Sequence, residues 1–437
     1  MLIDDFHKVE TDENLFEVKD NNLFVWDIFR LPIYYRYRFL DRDVKALDST
    51  KNNPLKFRKV IKLLSSILYH LFFIKKSDFL VLTSSRYKAK SGEYYDKATI
   101  DVINLFKDRS TIIETFSIAK LKYRAHYSLL SVLMRFKKVP NLNYNVYEYV
   151  KNSFIKHLGV FPLLYDDMNL IYKKYQISYK YYSYLINRTK CSKILLGVGN
   201  PNAVVQAAKD NHISTFLFQH GEVASDMIEF SYPDIDTHGR NYFPDYFLTF
   251  STLWGKGCNI PGITMPIGNN QFVIRDNTKV GIVTSDIVFI SSYLHSDYLK
   301  FLCREYARKN PNSKLIYKLH PDEQYQADKF KDFFKEEQNV IVISNEVETS
   351  QLIVGTNTVV LISSTVLFMA IDLNKKVAIY AKAEYERNLP HVNNINIFLF
   401  DSIDDLNKIV LTEVDNEVGA AHYYEPFDAS LLYNVLT

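Results

Sequence analysis

Apolar residues in this chain fall in short runs, and helix-spaced stretches separate them. That pattern predicts βα units, and hence mostly parallel sheets with helices on both faces. In the first half the runs predict strands at Phe79–Thr83, Thr111–Phe116, Lys193–Val198, Ser214–Gln219 and Tyr246–Phe250. The second set is more regular. It predicts strand Ile287–Ser291, helix Asp297–Lys309, strand Lys314–Leu319, helix Glu323–Glu337 and strand Val340–Ser344. Helix Val347–Val354, strand Val359–Ile362, helix Thr365–Leu373 and strand Val377–Tyr380 complete it. Strands alternating with helices in this way predict a Rossmann-like domain.

Between the two sets, Gly and Pro cluster in TLWGKGCNIPGITMPIGNNQF, Thr252 to Phe272, as they do in linkers and turns. The expected organisation is therefore α/β with two Rossmann-like domains facing a central cleft. Residues 1–255 would form one domain and residues 270–419 the other. A last helix-like stretch, 420–437, is expected to pack back across the cleft.

Length supports two domains, since 437 residues exceed what one ordinary core holds. With 47% hydrophobic and 24% charged residues the chain reads as globular rather than disordered. A net charge of +3 gives no whole-protein field for nucleic acid. The cysteines, Cys191, Cys258 and Cys303, lie far apart without paired spacing, so neither a disulfide framework nor a zinc site is readable. The start, MLIDDFHKVETDE, is acidic and lacks the basic-then-apolar layout of a secretory signal. A cytoplasmic location is expected.

The longest apolar stretch, Val60 to Ile74, is too short to span a bilayer and contains Lys62 and His70. Lys56, Arg58, Lys59, Lys62, Lys75 and Lys76 surround it without an intervening acid. Two readings stay open: a basic interfacial helix on an anionic membrane, or a buried helix with solvated basic ends. A second basic and aromatic region runs from Ala119 to Gly159, where Glu148 is the only acid.

Candidate chemistry sits where predicted strands end, because ligands of open α/β sheets bind at the carboxyl ends of strands. One strand ends at His320-Pro321, and an imidazole there can hold a phosphate or simply cap the strand. Another ends at Ser363-Ser364-Thr365, where hydroxyls and the N–H groups of a following helix form an anion site or an ordinary N-cap. Ser291 and Ser292 end a third strand.

In the first half, Gln219-His220-Gly221-Glu222 follows a strand. Gly221 is expected to allow a sharp turn, and His220 or Glu222 to act as general base or acid. Asp234 is a further acidic candidate. Asp234 and Asp236 have DxD spacing, but their place after SYP speaks against a metal. The chain holds no GxxxxGK[ST], HExxH, GxSxG or EF-hand loop.

KLHPDE around His320 and ISSTV around Ser363 resemble the His-Pro and Ser-Ser motifs of bacterial GT-B glycosyltransferases that use CMP-activated sugars. Sialyltransferases, polysialyltransferases and capsule Kdo transferases are among them, and CDP-glycerol glycerophosphotransferases carry a similar pair. The resemblance implies a GT-B fold. It also implies that His320, Ser363 and Ser364 bind the cytidine nucleotide's phosphate. LFQHGEV, PDYFLTFSTLW, MPIGNNQF and VWDIFRLPIYYRYRF (Val25 to Phe39) resemble runs in surface-polysaccharide glycosyltransferases. One departure is the absence of the acidic pair before Gly that polysialyltransferases carry in their first half.

The resulting expectation is a metal-independent glycosyltransferase with a nucleotide-sugar co-substrate, probing its donor phosphate with His320, Pro321, Ser291, Ser363, Ser364 and Thr365. The acceptor is expected to be a surface glycan, free or lipid-linked, with no nucleic acid. A CDP-glycerol-type or UDP-sugar transferase of the same fold, and a non-catalytic glycan- or lipid-binding protein, are the alternatives.

Overall fold

The computed structural model describes residues 3–38, 64–85, 87–88, 93–115, 125–126, 133–134, 136–197, 199, 201–271, 273, 283–382, 385, 396–413 and 422–436. The chain divides into two compact units, Met1–Gln271 with Pro426–Thr437, and Phe272–Glu425.

The first unit is built on a seven-stranded sheet. Its strands are β1 (Phe79–Thr83), β2 (Ser110–Glu114), β3 (Ala125–His126), β4 (Lys193–Leu196), β5 (Ser214–Phe218), β6 (Tyr246–Thr249) and β7 (Ile263–Pro266). All neighbouring pairs are parallel and the order is β7-β6-β5-β4-β1-β2-β3. Every residue of β1 is buried, as expected for a parallel strand covered on both faces.

The helices of this unit are α1 (Ile3–Asp12), α2 (Trp26–Arg38), α3 (Ile100–Phe106), α4 (Tyr144–Leu158), α5 (Tyr165–Thr189) and α6 (Asn202–Lys209). Asn143 caps α4 by accepting from the Asn145 N–H, and Gly159 ends it with φ of 75°, a left-handed turn that glycine makes without strain. Strand β7 was not expected, because the Gly/Pro-rich stretch around it read as linker. It forms nonetheless, as an edge strand, where Pro266 at its end withholds no needed ladder donor.

The second unit holds a six-stranded sheet in the order β10-β9-β8-β11-β12-β13, also parallel throughout. Its strands are β8 (Ser285–Ile290), β9 (Leu315–Lys318), β10 (Val340–Ile343), β11 (Thr356–Leu361), β12 (Lys376–Tyr380) and β13 (Ile397–Phe400). Helices α7 (Ser296–Lys309), α8 (Ala327–Phe333), α9 (Thr349–Val354), α10 (Val366–Asp372) and α11 (Ile403–Leu411) connect or follow them. The last strand and α11 extend the expected domain by one βα step. The expected helix from Glu323 to Glu337 is instead a 3-10 segment, Pro321–Gln326, followed by the shorter α8.

Helix α12 (Ala429–Leu436) belongs to the first unit. Its Leu432 and Leu436 join the buried cluster of Phe79, Phe106, Phe216 and Leu248. Two parallel doubly wound α/β units in one chain are the composition of the GT-B fold that the resemblance implied.

Candidate functional site

In the second unit, the strand order places β8 at the reversal point. The chain steps from β8 to β9 on one side, then crosses to β11 on the other. A crevice outside the carboxyl ends of β8 and β11 is where an open sheet of this winding binds ligands. The chain leaves β8 at Ser291 and β11 at Ile362–Ser363, on adjacent strands paired through Phe289 and Val360. It leaves β9, the other neighbour of β8, at Leu319–His320. Topology thus brings the three expected segments to one end of the sheet, at the carboxyl ends of three adjacent strands.

His320 is the first capping residue of the 3-10 segment. Its Nδ1 accepts from the Asp322 N–H at 3.2 Å, while its own N–H donates to Glu323 Oε2 at 2.9 Å. Pro321 fills the first helical position, where no N–H is required. With Nδ1 accepting, the neutral ring carries its proton on Nε2. Asp322 Oδ2 lies 3.7 Å from Nδ1 and would pair with the ring once it is protonated.

The serines differ from one another. Ser364 Oγ accepts from the Val366 N–H, the first of α10, at 3.3 Å, with Ser363 half-buried and Thr365 exposed. Ser291 is buried. Its hydroxyl accepts from Tyr317 at 3.2 Å and lies 3.5 Å from that of Ser296. In this arrangement Ser291 ties the start of α7 to β9. Beside it a groove of about 460 Å³ runs between the segments that follow β8 and β9, lined by Tyr293, Lys300, Glu323, Lys329 and Phe333 among others. Lys318, which received no role from the sequence, is buried next to this end of the sheet and donates to the carbonyls of Leu319 and Ser344. A lysine closing an otherwise apolar strand was its signal.

In the first unit, a cavity of about 370 Å³ opens where β4 and β5 end. His220, Gly221 and Glu222 line it, together with Asn202 at the start of α6. Gln219 is buried and holds this turn, its side chain accepting from the Phe250 N–H at 2.8 Å and donating to the Gly221 carbonyl at 2.8 Å. The chain bends at Gly221, as expected, but the bend does not require glycine. Gly221 is absent from the left-handed backbone positions, and a side chain there would meet open space. The Gln219 amide secures this bend. Asp234 is exposed on its loop and does not line the cavity.

The far wall comes from the N-terminal WDIFRLP segment, which sequence reading left without a chemical role. Asp27, Arg30 and Leu31 of α2 line the same cavity as His220 and Glu222. The Arg30 guanidinium donates to Glu10 Oε1 at 2.6 Å, to the Ile228 carbonyl at 2.6 Å and to the Ser231 carbonyl at 2.7 Å. It also lies over the Tyr232 ring at 4.2 Å. Asp27 accepts from the Tyr242 N–H at 2.6 Å and from the Tyr232 hydroxyl at 3.2 Å. Burial pushes the Asp27 carboxyl above the usual range, and the nearby Arg30 charge opposes that shift.

These bonds anchor residues 228–242 to α2, and Met227, Phe230, Tyr232, Tyr242 and Phe243 make the cavity largely apolar and aromatic. Glu229, whose carboxylate accepts from Tyr35, adds a third acid to the lining beside Asp27 and Glu222. Apolar walls with a few placed polar groups are typical of small-molecule sites. Among the described residues, no group of three or more His, Cys, Asp or Glu is placed to hold a metal ion.

No curated protein matches the chain. Several solved structures resemble it. UDP-GlcNAc 2-epimerase from Methanocaldococcus jannaschii is 10% identical, with a TM-score of 0.47 over 80% of this chain and 96% of that one. The Neisseria meningitidis UDP-GlcNAc 2-epimerase bound to UDP-GlcNAc is 13% identical, with a TM-score of 0.43 over 76% and 91%. A glycotransferase of kitacinnamycin is 10% identical, with a TM-score of 0.44 over 77% and 90%. At these values the likenesses carry no argument about chemistry. Residues 286–388 match the family model of capsule polysaccharide biosynthesis proteins, a stretch that contains Ser291, His320, Pro321 and Ser363–Thr365.

Proposed function

We propose that the protein is a glycosyltransferase of bacterial surface-polysaccharide synthesis, moving a Kdo or sialic-acid-like sugar from a CMP-sugar to a growing glycan. The observation that carries this reading is the placement of His320 and Ser363–Thr365 at the carboxyl ends of the strands on either side of β8, inside the stretch matching the capsule polysaccharide biosynthesis model.

In the reaction an acceptor hydroxyl oxygen attacks the anomeric carbon. The bond from that carbon to the phosphate oxygen breaks, and its electron pair leaves with CMP. His320, through its Nε2–H, and the hydroxyls of Ser363, Ser364 and Thr365 stabilise the departing phosphate. Glu222 or His220 takes the hydroxyl proton. Fixed donors replace a metal ion, so activity persists in EDTA. A loss restored by magnesium would refute that part. The reaction runs on the cytoplasmic side, with a free or lipid-linked glycan as acceptor.

A thermal-shift panel of CMP, CDP, UDP, UMP, GDP and ADP tests the donor, since a ligand that binds only the folded state raises its stability. Selective stabilisation by CMP, lost in His320→Ala, is the expected result. Preference for UDP or CDP would move the donor to a sugar or polyol-phosphate carrier of that kind. No response to any nucleotide would overturn the transferase reading in favour of a glycan- or lipid-binding protein.

A further inference from the structure

Helical residues 64–68 run into a π-turn, Tyr69–Phe73, with an inverted amphipathic face. Ser66, His70 and Ile74, spaced four apart, are buried. The His70 ring bonds inward through Nδ1 to the Ser66 carbonyl at 2.8 Å and through Nε2 to the Tyr181 hydroxyl of α5 at 3.1 Å. On another side of the turn Leu64, Leu68 and Phe72, again four apart, are 55%, 51% and 68% exposed, and Phe73 is 58% exposed. A soluble surface helix puts its polar face to water. Here the polar ring is inside, bonded to the fold, and the large apolar side chains are outside.

The charge around this face selects its partner. Lys75 and Lys76 follow it directly and are exposed. No Asp or Glu occurs between Asp48 and Asp78, a stretch that also carries Lys56, Arg58, Lys59 and Lys62, which lie outside the described residues. A second copy docking through the same patch would oppose like charges across a two-fold axis. An anionic lipid surface satisfies both features at once, because acyl chains take the Leu and Phe side chains while headgroups take the lysines. We propose that Leu64, Leu68, Phe72 and Phe73, with Lys75 and Lys76, form a docking surface for an anionic bilayer. This inference is independent of the donor assigned above.

Co-sedimentation of the full chain with vesicles of phosphatidylcholine alone, and of phosphatidylcholine with phosphatidylglycerol, tests it. The wild type is expected to pellet with the anionic vesicles, and less so at high salt. The double variant Leu68→Ser, Phe72→Ser is expected to partition about tenfold less or lower still, from the apolar contact it loses. Lys75→Gln with Lys76→Gln should weaken binding and its salt dependence. Both sites of the double variant are exposed, so its melting curve and its nucleotide thermal shifts should match those of the wild type, which separates this test from the transferase reading. Wild-type protein left in the supernatant, or equal pelleting of the double variant, would overturn the proposal. So would sedimentation velocity that shows a dimer lost in that variant without vesicle binding.

Discussion

Arg30 and Glu10 show how much one buried pair can hold. Both are buried, and the guanidinium reaches Glu10 and two loop carbonyls that wall the first-unit cavity. Arg30→Ala would leave the buried Glu10 carboxylate without its charge partner, with the Trp26 indole N–H still bonded to it, a change that costs about 3–5 kcal/mol. A urea-unfolding midpoint equal to that of the wild type would contradict this. Arg30→Lys should lose much of the same stability, because an ammonium cannot span three acceptors in the fork geometry.

Burial also holds the His70 and His7 rings below the usual imidazole value, His70 against the Ser66 carbonyl and His7 beside Glu10 and Arg30. The unfolded chain therefore binds these protons first as pH falls. Their contribution is fully present above about pH 6.5 and is lost below it. Melting temperature should fall from pH 6.5 toward pH 5, and His70→Gln should flatten that slope. An unchanged slope would assign the acid loss elsewhere.

At the scale of elements, βα periodicity was readable because most strands are short apolar runs that end in polar residues. The exceptions have local causes. Strand β7 hides among Gly and Pro because it is an edge strand, and Gly262, just before it, sits against the Pro244 carbonyl and its neighbour Asp245. A Cβ there meets backbone rather than a movable side chain. Gly262→Ala should cost about 1–3 kcal/mol by overpacking, read as a lowered melting temperature. The apolar stretch ending at Ile74 was readable as a helix, but which side it buries was not. Ser66 and His70 face inward because α5 offers the Tyr181 hydroxyl, a partner 111 residues away.

For the whole molecule, the chain returns at its end to the first unit. Leu432 is wholly buried in a core that starts at Phe79, so the unit closes only after the second unit has been made. Deleting residues 426–437 should destabilise the first unit and leave the second unchanged, seen as a drop in one of two calorimetric transitions. A uniform drop of both would show that the units unfold together.

The sequence by itself determined the α/β class, the two sets of strands, and the strand ends carrying His320, the Ser363–Thr365 turn and His220–Glu222. Each of these is a local property: a run of apolar residues and the polar residues that stop it. Only the tertiary structure decided that Asp27 and Arg30 wall the cavity of His220 and Glu222, that the Gln219 side chain secures the bend at Gly221, and that Ser291 is buried and bonded to the Tyr317 hydroxyl. Those depend on partners far apart along the chain, and no short-range pattern encodes which polar side chain a distant backbone group will hold.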